Sequence, residues 1–459
     1  MRALSSIKVI IRAGVLSMTA VLAPLQGAIA ETAPSVIRDA EVESTIRSYA
    51  NPLFRAAGLP PDSVTIRVLN SSVLNAFVTT GNRMFIHSGL ILRTETPGQL
   101  TGVIAHETGH IVGGHLVRLN DAVEKATLAS MGTMALGLLA GLAAGRADAG
   151  MAAMSLGQQV VGREFFSYTR TQESSADQYA LKVLDQTNQS AQGLLDFFET
   201  LADQEMLSSS RQDPYVRTHP LTSERIEAVR EHVAQVHIPY QTPTDKQLRH
   251  DRMVAKLFAF LEPQSRTLQK YGESDQSAVA RYARSIAYFR RGELTKALPQ
   301  IDSLLTEYPN DAYFWELKGQ MLFENARLPD AADAYRKAVQ LAPNEPLIDL
   351  SFSHVLVEMG TDASRAEAEK HLRKSLTAEP GTSFGWRLLG TLYGQRGDET
   401  QAAYAMAEYA LLIGDNSQAL FHVNKALAGV KQSDPLWLRL QDIKQAAEAS
   451  RDRENGGRR

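Results

Sequence analysis

The chain has 459 residues, of which 44% are hydrophobic and 22% charged, with a formal net charge of −3. At roughly 150 residues per domain this is material for about three folded units; the balance excludes a largely disordered chain and gives no electrostatic ground for a nucleic-acid partner. Cysteine is absent, which excludes disulfides, iron–sulfur clusters, thiolate zinc sites and cysteine nucleophiles, so any metal must be held by nitrogen and oxygen.

At the start of the chain Arg2, Lys8 and Arg12 accompany an apolar stretch from Ala13 to Leu25, and Ala28-Ile29-Ala30 ends it with small residues. This is the pattern of a secretory signal peptide over residues 1–30, cleaved after Ala30, and it predicts work outside the inner membrane. From Glu31 to about Pro239 the pattern is mixed. Glu41–Phe54 reads as a helix, and Ser63–Leu69 alternates as a strand with Val64, Ile66 and Val68 on one face. Ala76–Thr79 and Arg83–Ser88 read as a hairpin around Gly81-Asn82. This predicts an α+β domain over 31–240, in a chain that is mainly α overall.

Gln241–Asp245, with Pro243 inside it, reads as a linker, opening a connecting region over 241–275. Beyond it the sequence is helical and repetitive. Pro309, Pro343 and Pro380 close successive units spaced by 34 and 37 residues, and 34 is the tetratricopeptide period. The unit Asn310–Pro343 fits best, with Trp315, Gly319, Ala331, Tyr335 and Ala338 in the expected order. About four degenerate repeats are predicted over 276–450, before a charged tail at 451–459. Such an α-solenoid presents a concave surface suited to peptides or partner proteins.

His106-Glu107-Thr108-Gly109-His110 lies within a helical stretch from Gln99 to Leu119. Two histidines at i and i+4 project from one helix face and can chelate a single ion. Neutral imidazoles suit zinc, and Glu107 follows the first of them directly, where its carboxylate can move a proton rather than bind the ion. A third ligand decides the class. The metzincin spacing calls for histidine at the position of Leu116, and on a continuous helix His115 points about 140° away from His110. A capping or surface role is therefore expected for His115. Glu173, on a second helix, is the better third ligand. Asp177, one turn further on, can accept a hydrogen bond from a ligand histidine, and Ala176 between them is small enough for close helix packing.

His106-Glu-x-x-His110 with Glu173-x-x-Ala176-Asp177 resembles the gluzincin family of CAAX-prenyl and heat-shock membrane proteases. The signal peptide and C-terminal repeats are similar to its periplasmic branch. The likeness extends to Asn75-Ala76-Phe77, Ser88-Gly89-Leu90-Ile91, Thr218-His219-Pro220 and Glu224-Arg225-Ile226. It departs from the family at Thr79-Thr80-Gly81-Asn82, where a Pro-Gly-Gly turn is usual. The resemblance implies one zinc ion on His106, His110 and Glu173, with Glu107 as general base. It brings His219 and Arg225 toward the metal, either to stabilise the oxyanion or, for His219, to bind the open zinc position and hold the enzyme latent; otherwise His219-Pro220 starts a helix and Arg225 pairs with an acid. It further implies proteolytic quality control of unfolded or misassembled outer-membrane proteins in the periplasm, a chaperone-like role, and contact with the outer-membrane β-barrel assembly machinery through the repeats. His87, in a strand, is expected to be a packed surface histidine rather than a ligand.

Ala126–Gly145 carries one charge-free apolar run with Gly137, Gly141 and Gly145 every four residues. Both ligand helices must share one core, so a single membrane crossing between them is disfavoured. A hairpin over 126–162 is expected, covering the active site or touching a membrane surface. The strand Arg83–Ile86 is expected to accept an extended peptide as an added strand. A rival reading is a non-enzymatic repeat adaptor whose metal site is structural.

Overall fold

The computed structural model describes residues 35–115, 170–202 and 214–456; the predicted signal peptide and the 126–162 hairpin lie outside these residues. Among the described residues no helix is long and apolar enough to cross a membrane.

Residues near the start of the described chain build an α+β unit. The helix Ala40–Ala56 begins where the Asp39 carboxylate accepts from the Val42 N–H, a capping interaction that satisfies one otherwise orphaned donor. A four-stranded sheet follows, made of β1 (Val36–Ile37), β2 (Thr65–Leu69), β3 (Ala76–Thr79) and β4 (Arg83–His87), in the order β1-β2-β4-β3. β2 and β4 are parallel, while β3 and β4 form the expected antiparallel hairpin with Thr79 opposite Arg83. Gly81 and Asn82 turn it with positive φ angles of 79° and 53°, so the departure from the Pro-Gly-Gly turn leaves the hairpin intact. One correction follows from the order: β4 is flanked on both sides, and β3 is the edge. Arg83–Ile86 therefore has no free hydrogen-bonding side for an added strand; among the described strands the outer side of β3 is unpaired, with its Ala76 carbonyl taken by the His219 side chain.

Ile66, Val68, Ala76, Met84 and Ile86 point to one face of the sheet and join Ile46, Phe54, Leu100, Val103, Ile104 and Phe198 in a buried core. Alternation at period two makes this possible, since each strand presents every second side chain to the helices.

The helix Thr244–Leu261 leads into successive helix pairs, among them Ala312–Glu324 with Leu328–Leu341, and Ser383–Gln395 with Glu399–Leu412. These are tetratricopeptide-like hairpins. In the first, a Cβ on Gly319 would lie 2.7 Å from the Tyr335 ring, so the small residue makes room for the aromatic one. The indole N–H of Trp315 donates to the Pro309 carbonyl, and that of Trp386 to Pro380; the same bond recurs in two units. The last helix runs Pro435–Gly456, into the stretch expected to be a tail.

The α+β unit and the repeats share buried residues. Ala40 is buried among Ile348, Phe352 and Trp386 of the repeats. Beside it Glu41 accepts from Arg252 at 2.6 Å and from the Tyr282 hydroxyl at 2.6 Å, and Lys256 pairs with Asp39 at 2.7 Å. The first helix of the α+β unit is thus fastened to the connecting helix Thr244–Leu261 by ion pairs and to the repeats by the Tyr282 hydrogen bond.

Candidate metal centre

The helix Pro97–Gly113 has a firm beginning and a firm end. Thr96 and Gln99 form a reciprocal capping box, with Pro97 in the first turn, where its missing N–H costs nothing. Gly114 closes the helix with φ 60°, a left-handed conformation that glycine adopts without penalty. The buried stretch between carries His106, Glu107 and His110. Opposite it runs the helix over 170–186, bearing Glu173 and Asp177. The two backbones nearly touch: a Cβ on Gly109 would fall 2.7 Å from the Ala176 carbonyl oxygen. That close approach brings the carboxylate between the imidazoles.

His106, His110, Glu173 and His219 are all buried and offer ligand atoms within 4.8 Å of one another. The Nε2 atoms of His106 and His110 are 3.0 Å apart. Glu173 Oε2 lies 3.3 Å from His106 Nε2, and Oε1 lies 3.4 Å from His110 Nε2. His219 Nδ1 completes the group at 3.2 Å from Glu173 Oε2 and 3.4 Å from His106 Nε2. Donors bonded at about 2.0–2.1 Å to a tetrahedral ion stand about 3.3–3.4 Å apart, so these spacings suit zinc.

The hydrogen bonds fix which nitrogen faces the centre. His106 donates from Nδ1 to Asp177 Oδ1 at 2.8 Å, which leaves the Nε2 lone pair inward. His110 Nδ1 is 3.0 Å from His115 Nδ1; a proton on His110 Nδ1 again frees Nε2. His219 Nε2 lies 3.2 Å from the Ala76 carbonyl oxygen and donates to it, turning Nδ1 inward. All three imidazoles are oriented as ligands by their other nitrogen.

Arg225 braces the carboxylates. Its guanidinium contacts Asp177 at 2.6 and 2.9 Å, Glu173 at 3.1 Å and the Pro220 carbonyl at 2.7 Å. Burial would raise the Glu173 pKa, but His219 and His106 hold it well below the ordinary glutamate value. Burial would likewise lower the His106 pKa, yet the bonds to Asp177 and Glu173 raise it to about 9. Glu107 is fully buried and neither carboxylate oxygen has a hydrogen-bond partner among the described residues. Burial pushes its pKa upward.

Two expectations are corrected here. His115 is buried at 4% exposure rather than lying on the surface, because the chain leaves the helix at Gly114 and folds back against His110. His87 is buried too, packed edge-on against Phe77, and stays outside the metal cluster. Sequence reasoning did not single out Tyr215, whose ring lies 4.7 Å from that of His219; its place one turn before His219 was the available signal.

The sequence over residues 37–233 matches the description "Peptidase family M48". Residues 37–233 are an M48 peptidase domain. The chain is accordingly a metalloprotease. Residues 293–420 match the TPR domain of cytochrome c-type biogenesis protein H, downstream of the M48 domain. The chain is 25% identical to a beta-barrel assembly-enhancing protease of Yersinia pestis, over 86% of this chain and 81% of the relative. It is 26% identical to the protein of that name in Escherichia coli, over 79% and 74% respectively. Metalloprotease LoiP of Escherichia coli is 30% identical over 37% of this chain and 63% of its own length.

Proposed function

We propose that the chain is a periplasmic zinc endopeptidase that hydrolyses misfolded or stalled outer-membrane proteins and assists their assembly, with the repeats recruiting substrate or the β-barrel assembly machinery. In this reading residues 1–30 are removed on export, 31–240 form the peptidase domain, 241–275 connect it to repeats over 276–450, and 126–162 covers the active site or touches a membrane surface. The names of the relatives support the setting. The observation that carries the chemistry is the convergence of the His106 and His110 Nε2 atoms and the Glu173 carboxylate within 3.0–3.4 Å of one another, beside a buried Glu107 whose oxygens accept no hydrogen bond among the described residues.

His106, His110 and Glu173 would hold zinc, which when bound polarises the scissile carbonyl and lowers the pKa of coordinated water to about 7. Glu107 takes the proton from the attacking water and returns it to the leaving amine. Asp177 holds the His106 tautomer, and Arg225 holds Asp177 and Glu173. With its donors so engaged, Arg225 acts through the carboxylates, and the oxyanion-stabilising role falls to His219. His219 also occupies the position that water and substrate need, so the arrangement is a latent one from which His219 must withdraw. Glu107→Gln tests the assignment: zinc content is expected to stay at the wild-type level while peptide cleavage is lost. Cleavage at the wild-type rate by that variant would overturn it.

A further inference from the structure

The sheet has a second face that the core does not use. Phe77 on β3 stands opposite Phe85 on β4, and their rings stack with centroids 5.3 Å apart and planes 22° from parallel. Phe85 in turn is level with Arg67 on β2. All three side chains are partly exposed, and neither phenylalanine belongs to the hydrophobic core, whereas their neighbours Ala76, Met84 and Ile86 do. The structure therefore carries an aromatic pair on the outer face of the sheet, immediately beside its edge strand.

That edge leads straight to the metal cluster. The Ala76 carbonyl accepts from His219 Nε2, and the Leu74 carbonyl, two residues earlier, accepts from the Tyr215 N–H at 3.2 Å. Alternate carbonyls on one side of an extended strand are the groups that pair with an added strand. A peptide taking them over would run past the cluster with its side chains pointing alternately to the two faces of the sheet. Those on the outer face become lateral neighbours of Phe77, within reach of the Phe77–Phe85 pair, and aromatic cross-strand pairs are favourable.

We infer that Phe77 and Phe85 form a side-chain subsite for the peptide residue that an added strand places beside Phe77 and for its neighbours two positions either way, selecting segments with aromatic or large apolar residues at alternate positions there. This rests on the peptidase reading above and narrows its substrate class: alternation of apolar and polar residues at period two is the pattern of a transmembrane β-strand. A helix-forming segment, apolar every third or fourth residue, cannot present that face continuously.

Two ten-residue fluorogenic peptides test it, one alternating Tyr with Ser and the other carrying Thr at each Tyr position. The full zinc-loaded chain is expected to cleave the tyrosine peptide with a kcat/KM about two- to five-fold higher, mostly through KM. Phe77→Thr and Phe85→Thr, each made in that chain, should bring the ratio close to one, while zinc content and melting temperature report that each variant is folded. A ratio unchanged in both folded variants would overturn the subsite. Fluorescence anisotropy of the same peptides on Glu107→Gln, with and without Phe77→Thr, reads the preference without turnover. A binding preference that Phe77→Thr removes, with no cleavage by any protein, would uphold the subsite and overturn the peptidase reading; equal binding of both peptides would overturn the subsite alone.

Discussion

At the scale of single residues, the His106–His110–Glu173–His219 cluster is braced by groups outside it. Arg225 is buried at 4% exposure and makes two contacts with Asp177, which is equally buried. Removing one partner of a buried pair leaves an uncompensated charge, at a cost of about 3–5 kcal/mol. Arg225→Ala is therefore expected to lower the stability of the peptidase domain by about that amount. Thermal or denaturant unfolding measures it, and a change below about 1 kcal/mol would contradict the burial argument. The residues that make the cluster were legible because a helix places i and i+4 on one face, which joins His106 to His110 and Glu173 to Asp177. His115 was misread for a related reason. The reading carried the helix past Gly113-Gly114, whereas Gly114 closes it with a left-handed turn and sends the next side chain back. The Ala76 carbonyl could not be found at all, since every residue has one and only the fold decides which of them faces a site.

At the scale of elements, the metal site depends on how closely two helices approach. Gly109 faces the backbone of Ala176, and an added methyl would lie 2.7 Å from one atom and 2.9 Å from another. Backbone cannot yield as a side-chain tip can, so the helices must separate. Gly109→Ala is expected to cost about 1–3 kcal/mol in stability and to weaken zinc binding, which a competition titration with a chelator measures. Undiminished affinity would mean that the spacing of the helices does not set the site. β2, β3 and β4 were located nearly to the residue by alternation and by the Gly81-Asn82 turn, whereas the two-residue β1 is too short to show a pattern. Their order was not, because β2 pairs in parallel with β4 across the hairpin, and nothing in a local pattern announces a long-range partner. The consequence is functional: it decides which strand is the edge.

At the scale of the whole molecule, the peptidase domain and the repeats share an interface built on buried charge. Glu41 is 3% exposed and receives bonds from Arg252 and Tyr282, while Lys256 sits 3.5 Å away. Arg252 also pairs with Asp311 and lies 3.9 Å over the Phe314 ring. These charges read in the sequence as ordinary polar helix residues, since their partners lie from 59 to 241 positions away. Glu41→Ala leaves Arg252 and Lys256 with fewer partners. The expected outcome is looser docking of the repeats, seen as cleavage between the two units by a low concentration of trypsin at a rate at least several-fold above wild type. An unchanged digestion pattern would show that the hydrophobic cluster containing Ala40 holds the units together without the ion pairs.

The whole account stands on one carboxylate, Glu173, meeting two imidazoles from a distant part of the chain. Zinc per chain, measured by mass spectrometry after exhaustive dialysis, tests that directly. About one ion is expected in the wild type and a small fraction of that in Glu173→Ala, as a tetrahedral site loses an anionic ligand. Full zinc retention in a folded Glu173→Ala protein would contradict it.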